Sequence, residues 1–264
     1  MIDMIESSSN SQIKHIAKLQ KSAKYRRECG EFVAEGIKMV LESARYDAGV
    51  KIYISENAKA EYFTQIQENG LRANLEIVAD KVFAKITETM TPQGVLAVVK
   101  MPQYDESIIE RGNLVVCLEN LQDPGNMGTI LRTAEGAGVD AVIISKDSVD
   151  MFNPKVVRST MGASFRVPFF VVGDFGEELA KLQDKGYEVY ASSLQSSSDF
   201  REKSYDGKVA LIVGNEANGI RPETQELANH RIFIPMGGEL ESLNASVAAA
   251  LLMYEVRRRR DGLR

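Results

Sequence analysis

The sequence has few of the residues that form metal sites or disulfide frameworks. Of its 264 residues only two are cysteine, Cys29 and Cys117, and only two are histidine, His15 and His230. Their spacing matches no recognised zinc motif, so we expect no metal site. Two isolated cysteines are typical of reduced, buried thiols in a cytoplasmic protein.

Long apolar runs are also missing. The first ten residues, MIDMIESSSN, are acidic and polar, which does not suit a signal peptide. No run reaches the roughly 20 apolar residues that a membrane helix needs. We therefore expect a cytoplasmic protein with no membrane partner.

The charge is unevenly distributed. A net charge of −5 argues against a uniformly basic nucleic-acid binder, yet residues 7–27 contain no acid and six basic residues. In this stretch Lys14, Lys18 and Lys21 are spaced i, i+4, i+7, so on a helix they share one face, opposite apolar positions. Such a face is either simply solvated or binds phosphates. A second basic cluster, RRRR at 257–260, is typical of a helix C-terminus.

Strand-like and helical patterns alternate along the first hundred residues. Strands are predicted near 32–34, 51–54, 75–78 and 95–99, and helices at 37–45, 57–68 and 80–86. The stretch KMPQYDESIIERG breaks this alternation with a proline, several acids and a glycine. We predict a first domain at 1–102, a linker at 103–112 and a second domain at 113–264.

The second domain is predicted to contain a parallel sheet. Its strand-like runs are continuously apolar rather than alternating, and they are NLVVCLE, DAVIIS, VPFFVV, YEVYASS, VALIVG and RIFIP. Continuous β-branched runs separated by helices indicate a parallel sheet that is covered on both faces. Both domains are therefore expected to be α/β.

Polar, glycine-containing loops follow three of these predicted strands. They are NLQDPGNMGTILRTAEGAG (120–138), NEANGI (215–220) and the start of IPMGGELESLNASVAAALLMYE (234–255). None contains the GxGxxG dinucleotide fingerprint. Ligands of open α/β sheets bind beyond the carboxyl ends of strands, and glycines allow close backbone approach. Each loop alone fits ordinary turn chemistry, but together they favour a nucleotide-like cofactor.

The same three segments resemble motifs one, two and three of the SpoU (TrmH-type) RNA 2′-O-methyltransferases of the SPOUT superfamily. Their order and spacing match, and the resemblance covers 113 to about 260. The stretch FVAEGIKMVLES at 32–43 is similar to the L30e-like substrate-binding domain of ribosomal-RNA members. The resemblance implies an L30e-like α/β domain followed by a SPOUT α/β domain with a deep trefoil knot, although true knots are very rare.

The resemblance also implies a site. S-adenosyl-L-methionine is the expected cofactor, and no metal is needed. The residues that match the family's cofactor positions are Gly214, Ile234 and Leu243, with Met236 beside them. Those that match its polar catalytic positions are Asn126, Arg132, Glu216, Ser242 and Asn244. The family uses the residue matching Arg132 to activate the ribose hydroxyl, but a guanidinium stays protonated and equally suits clamping a phosphate.

The expected partners are RNA, most plausibly 23S ribosomal RNA, and a second copy of the chain. Besides Lys14, Lys18 and Lys21, the residues Arg26 and Arg158 are predicted to contact RNA. The segment MFNPKVVRSTMGASFRVPF (151–169) resembles a family segment, although a helix packed on the sheet with a solvated arginine explains it equally well. Two other functions stay open, a tRNA 2′-O-methyltransferase and a non-catalytic RNA-binding protein.

Overall fold

The computed structural model describes residues 4–46, 50–71, 75–193 and 198–262. These residues form two compact units. The first contains the described residues up to Gln103 together with Asp150–Phe165, and the second contains Tyr104–Val149 and the described residues from Arg166 onward.

The first unit is built on a mixed five-stranded sheet in the order β1-β4-β3-β5-β2. Its strands are β1 (Met4–Ile5), β2 (Glu31–Glu35), β3 (Lys51–Ser55), β4 (Leu75–Val78) and β5 (Val95–Lys100). Its first five helices are α1 (Ser11–Lys21), α2 (Ala23–Cys29), α3 (Ile37–Tyr46), α4 (Lys59–Glu68) and α5 (Asp80–Phe83). The four predicted strands are confirmed, as are the three predicted helices, although α5 ends earlier than predicted.

Helix α1 carries the predicted lysine face. It begins after Asn10, whose side chain accepts a hydrogen bond from the backbone N–H of Gln12 and so caps the helix. Its apolar residues Ile13, Ile16 and Leu19 are buried, whereas the lysines on the opposite side are exposed. The spacing of apolar residues thus turns the basic face of α1 towards solvent.

The second unit is built on a seven-stranded sheet in the order β10-β12-β9-β11-β6-β7-β8. Its strands are β6 (Leu114–Leu118), β7 (Ala141–Ser145), β8 (Phe169–Val172), β9 (Tyr187–Ser192), β10 (Ser198–Asp199), β11 (Lys208–Val213) and β12 (His230–Phe233). Every neighbouring pair is parallel, which confirms the sequence prediction. The central strands β6 and β7 are buried at every position, which explains their continuously apolar sequences.

Helices connect the strands of this sheet. They are α6 (Ser107–Arg111), α7 (Pro124–Ala137), α9 (Phe175–Asp184), α10 (Pro222–Leu227) and α11 (Ala245–Arg260). Helix α6 lies within the predicted linker at 103–112, and its Ile109 is buried in the core of the second unit. The proline and acids of this stretch therefore mark a short helix that packs, rather than a free connection.

The segment Asp150–Phe165, which the predicted boundaries place in the second domain, belongs to the first unit. It contains α8 (Pro154–Thr160). The rings of Phe152 and Phe165 pack against Phe32 at centroid distances of 4.8 and 5.9 Å, and Val157 is buried in the same core. These apolar side chains explain why the segment folds with strand β2.

The arginines at the end of α11 have structural contacts. Arg258 and Arg259 form ion pairs with Glu255, and Arg260 donates hydrogen bonds to the carbonyl oxygens of Asn113 and Gly207. This confirms the interpretation of the RRRR cluster as the C-terminus of a helix.

The two cysteines have different environments. Cys117 is buried in β6, and burial raises the pKa of its thiol above the ordinary value. The prediction that both thiols are buried is wrong for Cys29, which is exposed at the end of α2, where Gly30 ends the helix at the surface. Within the described residues, no helix combines the length and apolar character that a membrane crossing requires.

Candidate functional site

A cavity of about 500 Å³ lies at the carboxyl ends of three adjacent strands, β12, β9 and β11. This is where open parallel sheets bind their ligands. Its walls come from the ends of these strands, the loops that follow β11 and β12, and the first turns of α10 and α11. The lining residues are Ser192, Ser193, Val213, Gly214, Asn215, Glu216, Ala217, Asn218, Gly219, Ile220, Pro222, Gln225, Phe233, Ile234, Met236, Glu241, Ser242, Leu243, Ala245 and Ala248.

The wall after β11 is a tightly closed loop, residues 214–220. The backbone groups of Asn215 and Gly219 exchange two hydrogen bonds, at 3.0 and 2.9 Å. A Cβ atom on Gly214 would lie 2.2 Å from the carbonyl carbon of Gly219 and 2.3 Å from the backbone nitrogen of Ile220. Only glycine fits at 214, because the atoms that a side chain would meet are backbone.

A chain of three polar side chains joins this loop to α7 and α11. The amide nitrogen of Asn126 donates to Glu216 Oε1 at 3.0 Å, and the amide nitrogen of Asn244 donates to Asn126 Oδ1 at 3.0 Å. Asn244 also caps α11, since its Oδ1 accepts from the backbone N–H of Ser246 at 2.9 Å. The segments at 126, 216 and 244 are far apart in sequence, and this network holds them together beside the cavity.

Glu216 is held as an anion. Burial by itself raises the pKa of its carboxyl, but hydrogen bonds from Asn126 and from the backbone N–H groups of Asp123 and Gln122 lower it by more. The net pKa lies below the ordinary value. A carboxylate with a lowered pKa and three donors is a poor proton acceptor, so its geometry suits positioning better than general-base catalysis.

The structure brings most of the predicted site residues to this cavity. The four predicted cofactor residues Gly214, Ile234, Met236 and Leu243 all line it, as do Glu216 and Ser242. Asn126 and Asn244 do not line it. Asn126 donates a hydrogen bond to Glu216 directly, and Asn244 is linked to Glu216 through Asn126. Sequence reasoning missed Ser192 and Ser193 at the end of β9. The end of YEVYASS carried the signal, since it is another polar strand terminus in a parallel sheet.

Arg132 lies apart from the cavity lining, on the exposed surface of α7. It forms no hydrogen bond or ion pair with any residue in the described part of the chain. Helices α7 and α11 run side by side in the same direction, because Asn126 contacts Asn244 at one end and Gly136 contacts Arg257 at the other. Arg132 is therefore an unpaired cation that projects from this helix pair.

The predicted RNA-binding residues lie in the first unit. Lys14, Lys18 and Lys21 are exposed, and none forms an ion pair with a described carboxylate. Arg158 is partly exposed, with its Nη1 3.7 Å from Glu35 Oε2. The prediction for Arg26 is wrong: it is 3% exposed, pairs with Asp150 and donates to the carbonyl oxygen of Gln20, so it is not available to a ligand.

The cavity is suited to a small ligand with both apolar and polar parts. Its volume lies in the usual range of about 300–1,000 Å³ for ligand pockets. Its lining combines the glycine-containing loop with the apolar side chains of Ile234, Met236 and Leu243. Among the described residues, no group of three or more metal-binding side chains is placed to hold an ion. The fold and cavity define an α/β enzyme that binds a nucleotide-like organic cofactor at strand ends.

Comparisons with known proteins define the family. Residues 113–254 match the model of the SpoU rRNA Methylase family, and residues 10–97 match an MRM3-like substrate binding domain. The chain is 34% identical over 254 residues to the 23S rRNA (guanosine(2553)-2′-O)-methyltransferase RlmP of Bacillus subtilis, covering 96% of this chain and 98% of RlmP.

Two solved structures with bound AdoMet are similar to the chain over both units. The rRNA methyltransferase of Sinorhizobium meliloti has a TM-score of 0.83 and 29% identity over 97% of each chain. The SpoU methyltransferase AviRb of Streptomyces viridochromogenes has a TM-score of 0.85 and 25% identity, covering 97% of this chain and 100% of AviRb. The chain belongs to the SpoU rRNA methylase family. The predictions of family, enzyme class and S-adenosyl-L-methionine as cofactor are thereby confirmed.

Proposed function

We propose that this enzyme methylates a ribose 2′-oxygen in 23S ribosomal RNA, and that the cavity at the ends of β12, β9 and β11 holds its S-adenosyl-L-methionine. The observation that carries the proposal is that Gly214, from the second motif, and Ile234, Met236 and Leu243, from the third, line one cavity. The RNA assignment is supported by RlmP, whose name specifies 23S rRNA and whose length the chain matches.

The cavity fits the cofactor. Apolar side chains and the close backbone approach that Gly214 and Gly219 allow suit the adenosine of the cofactor, and the polar side chains of Glu216 and Ser242 suit the charged part of the cofactor. When bound, S-adenosyl-L-methionine supplies an electrophilic methyl group. Transfer of this group to the ribose oxygen would leave S-adenosyl-L-homocysteine and release the hydroxyl proton to solvent water, so the residues of the chain need to orient the hydroxyl and to stabilise the negative charge that develops on its oxygen.

Arg132 is proposed to position the RNA and to stabilise negative charge at the ribose oxygen. Its guanidinium stays protonated, so it cannot act as a base, but its planar donors bind a phosphate bidentately. Its lack of a partner within the described chain leaves those donors available. Glu216, Asn126 and Asn244 are proposed to fix the loop, α7 and α11 relative to the cofactor, because their hydrogen bonds already join these elements. Ser242, exposed in the cavity wall, is proposed to contact the reacting groups.

The first unit, predicted as residues 1–102, is proposed to bind RNA through the basic face of α1, with Arg158 as a further contact. Neutralising Lys14, Lys18 and Lys21 together removes up to three phosphate contacts. For a single-stranded or looped RNA, each contact contributes about 0.7 to the slope of log K against log salt. We expect weaker RNA binding and a flatter slope, with unchanged affinity for S-adenosyl-L-methionine, when both are measured by titration at several salt concentrations.

The matched control neutralises Lys59, Lys81 and Lys85, which are exposed in the same unit but lie outside α1. Both triple variants change the net charge equally, so a long-range effect of charge would flatten the two slopes alike. If the α1 variant keeps the wild-type salt slope and KM for RNA, the lysine face is only solvated surface.

We propose that a second copy of the chain covers the exposed face of α11. Val247, Leu251 and Tyr254 are spaced i, i+4, i+7 on this helix, and they are 47%, 42% and 50% exposed. Such a contiguous apolar stripe is typical of an interface. Arg132 projects from the neighbouring helix α7, six positions after Asn126, and Leu251 is seven positions after Asn244 on α11. Because Asn126 and Asn244 are in contact, Arg132 and Leu251 lie at about the same level along the two helices. An interface here would bring Arg132 to the partner subunit.

Leu251→Glu is expected to convert the dimer into a monomer and to abolish methyl transfer, because a buried unpaired carboxylate disfavours the interface. Sedimentation at micromolar concentration measures the first effect and a methyl-transfer assay the second. Leu227→Glu is the control, since Leu227 is 43% exposed on α10 of the same unit. A wild-type protein that sediments as a monomer, or a Leu251→Glu variant that remains a dimer, would contradict this interface.

Two finer features of the fold are also proposed. The first unit is L30e-like, which its match to an MRM3-like substrate binding domain supports. The second unit carries a deep trefoil knot near its C-terminus, which the similarity to the SpoU methyltransferase AviRb at a TM-score of 0.85 supports. Chemical closure of the termini followed by denaturation tests the knot, because a knotted ring has a smaller hydrodynamic radius than an unknotted ring of the same length.

Mapping of 2′-O-methyl nucleotides in cells with and without the gene tests the proposed substrate. We expect one site in 23S rRNA to be lost with the gene, and the nucleotide equivalent to guanosine 2553 is the first to examine, given the name of RlmP. Loss of a tRNA site instead would favour the tRNA alternative, and no loss at all would favour a non-catalytic RNA binder. An enzyme that acts on ribosomal RNA is proposed to be cytoplasmic.

A further inference from the structure

The residue directly after strand β6, Glu119, is a fully buried carboxylate, with 0% of its surface exposed. Its Oε2 accepts the backbone N–H of Arg221 at 2.8 Å, and its Oε1 accepts the Nε–H of Arg221 at 2.8 Å and the hydroxyl of Thr224 at 2.5 Å. Burying a carboxylate is costly unless it is paired and hydrogen-bonded, and these three donors meet that need. Arg221 and Thr224 directly follow the 214–220 loop, so Glu119 fixes the end of that loop.

The next residue fixes the start of the same loop. Asn120 has a left-handed backbone, with φ 53°, and its carbonyl oxygen faces the loop. This oxygen accepts from the side-chain amide of Asn215 at 2.8 Å. The Asn215 Oδ1 atom in turn accepts from the backbone N–H groups of Ala217 and Asn218, at 2.9 and 3.0 Å. Glu119 and Asn120 therefore hold the two ends of the loop from one point on the sheet.

We propose that Glu119 is a positioning residue that presets the 214–220 loop for S-adenosyl-L-methionine. All seven residues of this loop line the cavity, whereas Glu119 is absent from the lining and acts only through Arg221 and Thr224. A loop that is held in its binding conformation loses less conformational entropy when the ligand binds. The inference rests on the proposed cofactor site, and it adds a residue that the sequence motifs do not single out.

Glu119→Gln tests the inference. Glutamine keeps the shape of the side chain but has an NH2 group, a donor, in place of one of the two carboxylate oxygens. The amide has one acceptor oxygen, so it cannot accept from the backbone of Arg221 and from both side-chain donors at once. We expect the Kd and KM for S-adenosyl-L-methionine to rise by between about 10-fold and 100-fold, because we expect the 214–220 loop to be displaced by about 1 Å. The kcat and the KM for RNA should change much less. Glu119→Asp, which keeps the carboxylate, should restore part of the affinity.

The control is Glu255→Gln. Glu255 is also a buried carboxylate of this unit that pairs with arginine, but its partners are Arg258 and Arg259, which lie away from the loop in sequence. Both variants are expected to lower the unfolding temperature, but only Glu119→Gln should weaken cofactor binding measured well below that temperature. Thr224→Val, a near-isosteric change that removes one donor, should weaken binding in the same direction and serves if Glu119→Gln does not fold.

Calorimetric titration of the full-length protein with S-adenosyl-L-methionine separates the outcomes. If the wild type binds and Glu119→Gln or Thr224→Val binds equally well, the role of Glu119 is overturned while the proposed cofactor site stands. If Glu255→Gln loses as much affinity as Glu119→Gln, the effect is general loosening and the inference is again overturned. A wild-type protein that does not bind the cofactor would overturn both.

Discussion

Arg132→Ala is expected to lower kcat for methyl transfer by about 100-fold to 1,000-fold, the usual effect of removing one electrostatic donor from an active site. The affinity for S-adenosyl-L-methionine should not change, since Arg132 lies on the surface of α7 and does not line the cavity. Single-turnover kinetics with a 23S rRNA fragment measure the first quantity, and calorimetry measures the second.

Two further variants separate the possible roles of this arginine. Arg132→Lys keeps a point charge but loses the planar pair of donors, so partial activity would indicate simple charge attraction and full loss would indicate bidentate contact. Arg111→Ala is the control, because Arg111 is an exposed arginine on α6 of the same unit. Turnover of Arg132→Ala close to that of Arg111→Ala would remove Arg132 from the mechanism.

Gly214→Ala is expected to weaken S-adenosyl-L-methionine binding by about 100-fold or more, because the loop has to move by an ångström or more to admit a methyl group. The added Cβ would stand 2.2 Å from the carbonyl carbon of Gly219 and 2.3 Å from the nitrogen of Ile220, and both of these atoms belong to the backbone that closes the loop. Methylation should fall with the affinity and recover in part at saturating cofactor. Calorimetry and the dependence of rate on cofactor concentration provide the measurements.

Two other glycines, one in the same loop and one after β12, provide graded controls. Gly219 has a φ of +66° but open space around its Cβ position, so alanine there adds only backbone strain of about 1–2 kcal/mol. Gly237 has open space and no left-handed φ, so alanine there should be nearly neutral. The account predicts that affinity falls from Gly237→Ala to Gly219→Ala to Gly214→Ala. Equal affinities for the first and last would show that the loop is not the cofactor wall.

The sheet of the second unit could be predicted because parallel strands that are buried on both faces have continuously apolar sequences. The same logic indicated that polar loops at strand ends form a site. The sequence pattern could not show which strand ends meet at the cavity. Ser192 and Ser193 line the cavity because β9 lies between β12 and β11, and strand order does not follow sequence order.

Long-range pairing explains the errors. The basic side chain of Arg26 and its place in the sequence group it with the exposed lysines, but it is buried against Asp150, which is 124 residues away. The segment 150–165 follows β7, which predicts that it belongs to the second domain, yet its phenylalanines pack against Phe32. A sequence pattern reports which residues prefer burial, whereas the partner that buries them depends on the tertiary fold.

The proposed reaction is the transfer of a methyl group from S-adenosyl-L-methionine to a ribose 2′-oxygen of 23S rRNA. Its most direct test uses purified protein, methyl-labelled cofactor and two synthetic 23S rRNA fragments, which are identical except that one has a 2′-hydrogen in place of the 2′-hydroxyl at the mapped nucleotide. We expect label in the hydroxyl fragment and none in the deoxy fragment. Equal labelling of both fragments would show that this 2′-oxygen is not the methyl acceptor, which contradicts the proposed reaction.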